Sequence, residues 1–411
     1  MLEDVVAEHA VRAAALWDRR ARVVGSRVHD LASLVELDGE LRAHLTALVL
    51  AGETGWRIAD ETWSWQGPGD AFVSLVVAAR MGDRERIEEV VSRCDRPAQL
   101  PGLISALGWL PAPIARPLIG EWSEYDGPRW RALAMAGFVA HRHDPGRFVD
   151  NGLLHPDLGV RLQAIRGVGF LDRRELVPVL GSMLDDRVSE VRFLVGRALH
   201  QLRIPQGAEA LLDCAREGGT LGDRAGAIVA RQRRPALLLE DIVHLHSIQK
   251  ARRCAVEAAA SSGVPEVMEW LLAAMDDPST ARLAGYGFTM LTGVDLEDAE
   301  LEDDDRGIDS EEGHEGVEEG LPWPNSGRVR TWWDQHRRSF ERAQRWRCGE
   351  PQSVRALRQI LLSGPQHERG LVANDLLLMH REHAVPFEVA APAWRQCRWL
   401  APLRTLLESE P

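Results

Sequence analysis

Residues 157–192 read DLGVRLQAIRGVGFLDRRELVPVLGSMLDDRVSEVR. Two apolar runs flank a polar break, and the pattern then starts again. In the first run Val160, Ala164 and Val168 recur at four-residue steps, which lays them along one stripe of a helix. Gly167 and Gly169 weaken that helix but let a neighbour approach closely. In the second run Leu176, Leu180, Met183 and Leu184 form another stripe. Pro178 falls in its first turn, where the missing N–H costs nothing. Two helices of roughly 12 residues cannot bury their faces alone. Stacked on copies of themselves, they can.

The copies are present on both sides. Arg131, Arg161, Arg192, Arg224, Arg253 and Arg282 each stand near the start of an apolar run, at steps of 30, 31, 32, 29 and 29 residues. That period, with two apolar runs in each, predicts a solenoid of helical pairs. Stepping back by about one period gives two degenerate units, LPGLISALGWL near Pro101 and AFVSLVVAARMG near Ala71. The junctions MLDDRVSEVR (183–192) and AMDDPSTAR (274–282) share a second signal, an Asp shortly before the Arg. Asp277 followed by Pro278 reads as an N-cap and first helical residue, and Gly127–Pro128 starts the helix of Arg131 in the same way.

Over 128–292 this pattern resembles the HEAT-repeat family, including its short bacterial forms. The resemblance implies a structural ladder in which a turn Asp bonds an Arg between adjacent repeats. Asp157 with Arg161, Asp186 with Arg192 and Asp277 with Arg282 occupy those positions. No equivalent turn Asp stands out at Arg224 or Arg253. A second reading of the same arginines is a stripe that binds acidic segments, of a partner or of this chain.

Taken in order, residues 1–66 are expected to form an N-terminal helical cap, 67–292 the solenoid, 293–322 an acidic disordered insert and 323–411 a C-terminal helical region. In the cap, Asp30 starts a helix with Leu34, Leu37, Leu41, Leu45 and Leu48 on one face, and Gly52 stops it. Trp56, Trp63 and Trp65 follow as an aromatic plug over the first helices, or as a partner-binding patch. The window 295–319 holds 14 acidic residues and one Arg, while the other charges cancel, 48 against 48. So little apolar surface cannot offset the entropy of ordering. Beyond it, Asn325 or Ser326 caps a helix carrying Val329, Trp332, Trp333, His336 and Phe340. The runs 351–364 and 366–381 form a further pair, and the last helix closes the chain. The fold class read from all this is all-α: a solenoid with helical caps.

Composition narrows the function. At 411 residues and 45% hydrophobic content the chain is globular. There is no apolar window of about 18 residues, and Glu3, Asp4 and Glu8 sit where a signal peptide would be basic. Cys94, Cys214, Cys254, Cys348 and Cys397 are odd in number and far apart, which fits reduced thiols in a cytoplasm, packed in the core. Lys250 is the sole lysine, so no P-loop is possible and no Schiff-base motif surrounds it.

Enzymes built on HEAT repeats set a further test. The deoxyhypusine hydroxylases hold two irons with repeated His-Glu pairs; here such pairs occur only at His314–Glu315 and His367–Glu368. The related DNA glycosylases carry a basic face, whereas this repeat array is neutral and the chain acidic, which opposes phosphate binding. His141, His143 and Asp144, and His244 with His246, chelate poorly at i, i+2 on a helix. Asp303, Asp304 and Asp305 evoke a calcium loop, but with Gly307 as the turn glycine Arg306 takes a ligand position and Gly313 the twelfth.

Both ends, GETGW (52–56) and LPWP…RVRTWWDQHRRSF (321–340), resemble an uncharacterised bacterial HEAT-repeat family encoded near type VI secretion genes. The resemblance implies a protein partner there and carries over no catalytic residue. The expected function is a cytoplasmic, non-enzymatic scaffold or adaptor for a protein partner, with no cofactor or metal, no nucleic acid and no membrane. The alternative is an enzyme using the solenoid groove, a lyase or a metal-dependent hydroxylase.

Overall fold

The computed structural model describes residues 3–61, 67–303, 318–379 and 387–409. These residues form α-helices almost throughout, with one two-stranded hairpin, Trp346–Arg347 against Glu350–Pro351. The fold is all-α, built from repeated helical pairs. No described helix is long and apolar enough to cross a membrane. The chain divides into two compact units. The first comprises Met1–Val24, Leu31–Val179 and Glu388–Trp399, the second Gly25–Asp30, Leu180–Phe387 and Leu400–Pro411. The boundary at 179/180 lies inside the repeat array, not at 67 or 292 where composition changes.

In the first unit, the helices Pro68–Met81, Leu100–Trp109, Pro128–Ala140 and Leu158–Phe170 pack one on the next as the leading members of successive pairs. Close approach is set by glycine: a Cβ on Gly102 would sit 1.9 Å from the carbonyl oxygen of Pro68. Gly167 makes only ordinary contact with Val139, at 3.4 Å. The core is apolar and aromatic, with Phe72 between Trp17 (5.9 Å) and Trp109 (5.7 Å). Glu3–Val23 and Leu31–Leu50 pair as the cap, and Leu34, Leu41, Leu45 and Leu48 are fully buried. Gly52 ends the second of these at φ +58°. The next stretch is a helix, Glu53–Glu61, rather than an extended plug, and Trp56 is buried in it. Trp63 and Trp65 lie outside the described residues.

In the second unit the leading helices are Ser189–Gln201, Gly219–Ala230, Arg252–Ser262 and Ala281–Thr292, again packed in succession. Gly287 here allows Ala260 to approach, its Cβ position lying 2.6 Å from that Cα. Two local expectations are corrected. The run 176–184 is α-helical only over Val177–Gly181, after a 3-10 turn Arg174–Leu176, and Met183 and Leu184 beyond it are just half-buried. The helix after Asp277–Pro278 begins at Ala281 with Thr280 as N-cap, because Asp277 spends its carboxylate on a turn, accepting from the Ser279 N–H at 2.9 Å and hydroxyl at 2.8 Å.

The largest correction concerns 293–322. Residues 304–317, including His314, Glu315, Asp304, Asp305, Arg306, Gly307 and Gly313, lie outside the described residues. Both flanks are ordered and docked. Leu296, Leu301, Glu318 and Leu321 are buried. The Asp303 N–H donates to the Trp323 carbonyl, and the Asn325 N–H to that of Leu301, each at 2.8 Å. Scattered leucines anchor an acidic segment whose average composition argued against order. Beyond it, Asn325 caps the helix Ser326–His336 by accepting from the Arg328 N–H at 3.0 Å, as expected. Cys94, Cys214 and Cys254 are buried as expected, whereas Cys397 is half-buried and Cys348 exposed.

Candidate functional site

The Asp–Arg ladder takes a form different from the expected ion pairs. Asp157 caps its own helix, accepting from the Val160 N–H at 3.1 Å. Arg161 donates to the carbonyls of His155 (3.0 Å) and Pro156 (2.9 Å) instead. Asp186 accepts from the Val188 N–H at 2.8 Å, while Arg192 donates to the Asp186 carbonyl at 2.6 Å and to the Glu217 carboxylate at 2.6 and 2.5 Å. Arg282 is buried over the Trp323 ring, 4.8 Å from its centroid. Nearby backbone N–H groups, of the turn or of the first helical turn, claim the carboxylates, and turn carbonyls claim the guanidiniums of Arg161 and Arg192. A pair that does link successive leading helices is Arg253 with Asp223, at 3.0 Å. It stands at the repeat where no turn Asp was visible.

The histidine clusters disperse. The His141 ring bonds the Leu107 carbonyl at 2.8 Å, His143 stacks on Phe138, and Asp144 bonds Arg173 at 2.8 Å. His246 packs edge-on against Trp270. Among the described residues no group of three or more His, Cys, Asp or Glu could hold a metal ion.

What the sequence did not reveal is a buried ionic cluster in the second unit. Arg231, at the C-terminus of Gly219–Ala230, is flanked by Asp375 at 2.7 Å and Glu368 at 2.9 Å. All three are at most 1% exposed. The two carboxylates lie seven residues, two turns, apart on one face of Gln366–Met379. Arg27, from the loop 25–30, makes a forked bond to Glu257 at 2.7 and 2.8 Å and covers the Tyr286 ring. The same loop accepts the N–H groups of Gln366 and His367 on the carbonyls of His29 and Ser26. Arg347 donates to the carbonyls of Ser261 (3.0 Å) and Ser262 (3.2 Å).

The electrostatics follow from burial and pairing. Burial opposes ionisation of Glu368, but Arg231 and Arg347 outweigh it and hold the carboxyl below its usual range. Burial pushes the Arg347 guanidinium down to about 9. Burial, with Arg27 beside it, pushes His367 down to about 3, so the imidazole is neutral near pH 7. A neutral imidazole is the form that ligates metals, but the Glu368 carboxylate beside it is already ion-paired with Arg231.

At the surface of this unit a cavity of about 740 Å³ runs between the turn 297–302 and the helix Ser326–His336. Glu297, Glu300 and Glu302 stand on one wall, Arg328 and Trp332 on the other. Arg328 donates to the carbonyls of Glu300 (3.2 Å) and Glu302 (3.1 Å). Burial, then Glu302, Asp295 and Asp298, raise the Glu297 carboxyl above its usual range. A second cavity of about 380 Å³ is lined by Ser189, Cys214 and Thr220. Burial pushes the Cys214 thiol up to about 11, which removes it as a nucleophile near neutrality.

Comparison with known proteins agrees with the repeat reading in the middle of the array. No curated protein and no solved structure matches the chain. Residues 151–230 match the family model described as HEAT repeats, so over that stretch the chain is similar to the family its turn pattern resembles.

Proposed function

We propose that the protein is a non-enzymatic scaffold or adaptor of the cytoplasm, whose helical pairs present a binding surface to a protein partner. HEAT repeats generally mediate protein–protein contacts, and the match over 151–230 supports that class. The observation that carries the reading is the open cavity on the second unit. It is walled by charged and aromatic side chains on ordered backbone, which suits a segment of polypeptide. The buried carboxylates Glu257, Glu368 and Asp375, by contrast, are consumed by Arg27 and Arg231. The resemblance of both ends to a family encoded near type VI secretion genes points to a component of that machinery, or its cargo, as the partner.

The test is co-purification of the tagged chain from its native host after crosslinking, read by quantitative mass spectrometry. One protein should be enriched near stoichiometry over a tag-only control. A preparation that carries a bound metal or chromophore and enriches no protein would overturn it in favour of an enzyme.

A further inference from the structure

We infer that the cavity between 297–302 and the helix Ser326–His336 takes a cationic, arginine-bearing segment of the partner. This rests on the scaffold reading and adds the chemistry of what is bound. The turn wall is strongly negative: Asp295, Glu297, Asp298, Glu300, Glu302 and Asp303 fall within nine residues that contain no base. The carboxylates of Glu297, Glu300 and Glu302 make no ion pair with any described residue. Asp223, Glu217, Glu368 and Asp375 of this unit, by contrast, are each spent on an arginine. Outside 295–319 the charges of the whole chain cancel. The turn wall carries six of the fourteen carboxylates of that window and so attracts a cation.

The opposite wall favours arginine over lysine. Trp332 is held in place by a stack on His336, 4.1 Å between centroids at 15°, and by an edge contact to Phe288 at 5.3 Å. A fixed indole beside carboxylates suits a planar, weakly hydrated guanidinium. The turn already holds one such group, since the Arg328 guanidinium is seated on the carbonyls of Glu300 and Glu302. Nucleic acid and anionic lipid would be repelled by the same wall.

The experiment uses the full chain and a fluorescein-labelled peptide of Arg-Gly-Gly repeats, with a Glu-Gly-Gly peptide as control, read by anisotropy near 0.15 M salt. The Arg peptide should bind, more weakly as salt rises, and the Glu peptide should not. The triple variant Glu297→Gln/Glu300→Gln/Glu302→Gln alters only exposed or half-buried side chains. It should keep its melting temperature and bind the Arg peptide about tenfold more weakly. Equal affinity of wild type and triple variant, or no binding by wild type, overturns the inference. In the crosslinking experiment, a partner recovered equally by both chains sinks the cavity assignment and leaves the scaffold standing. A wild-type chain that recovers no partner sinks the scaffold whatever the peptide does.

Discussion

The two units solve the same packing problem with different interiors. The first stacks its leading helices around apolar and aromatic side chains, Phe72, Trp17 and Trp109 among them. Its buried ion pair, Arg20 with Asp38 at 2.6 Å, ties the two cap helices, and Arg20 also donates to the carbonyls of Ala390 and Ala391. The second unit stacks its helices in the same order but places Arg27, Arg231, Arg347, Glu257, Glu368 and Asp375 inside. An apolar interior that loses a side chain recovers part of the cost by relaxing around the gap. A buried charge that loses its partner has no such recourse, since desolvation is not recovered. The second unit should therefore be the more brittle, and the more sensitive to pH.

The largest contrast is expected from the acidic segment. Deleting 296–319 removes the buried Leu296 and Leu301 and the Glu318 that pairs with Arg253. Each leucine contributes about 1.5–3 kcal/mol by burial. Loss of about 4–6 kcal/mol in urea denaturation is expected, and exchange protection should fall in Ala281–Thr292. A deletion that leaves the midpoint unchanged would mean the flanks contribute nothing.

The pH dependence sharpens the comparison next. His200, buried in the second unit, has its pKa lowered to about 4 by burial. Its folded value lies below its unfolded value near 6.5, so the unfolded chain takes up the proton first. Stability is intact above about pH 6.5 and falls as pH drops toward 4, by about 3 kcal/mol in total. His200→Leu should flatten the slope by that group's share, leaving the share of the buried His367, measured as urea midpoints across the window. An unchanged slope would place the acid sensitivity elsewhere.

The smallest effect belongs to the arginines that organised the sequence. Arg192 is about one-fifth exposed and bonds Glu217 and its own turn. Arg192→Ala should cost about 1 kcal/mol, the scale of a surface pair. A loss several times larger would restore the ladder to a central role.

Legibility followed the range of the signal. The leading helices were readable because Pro128, the four-step stripe of Val160, Ala164 and Val168, and the Asn325 cap act within a turn or two of themselves. Helix ends were less readable, since Asp277 could serve a turn as well as a cap. The hairpin at 346–351 left no trace, because two-residue strands carry no alternation and the turn rests on positive φ at Cys348 and Gly349. The ionic cluster joins residues up to 348 positions apart, from Arg27 to Asp375, and no local period reports it. One clue existed: Asp375 interrupts the apolar run LVANDLLL, and Glu368 lies two turns before it on the same face. Two carboxylates on a buried face require cations, and the array supplies arginine. The cavity was hidden for a related reason. Its acidic wall was read by average composition, whereas Leu296 and Leu301 decide where the wall stands.

The buried charges of the second unit hold its helices together. Urea denaturation of Arg231→Ala tests it most directly. Removing this side chain leaves Glu368 and Asp375 buried beside no guanidinium of their own, and the account predicts a loss of about 3–5 kcal/mol. Groups held for binding or chemistry commonly cost stability, so their removal is neutral or stabilising. An Arg231→Ala chain as stable as wild type would contradict the account and mark the cluster as a functional site.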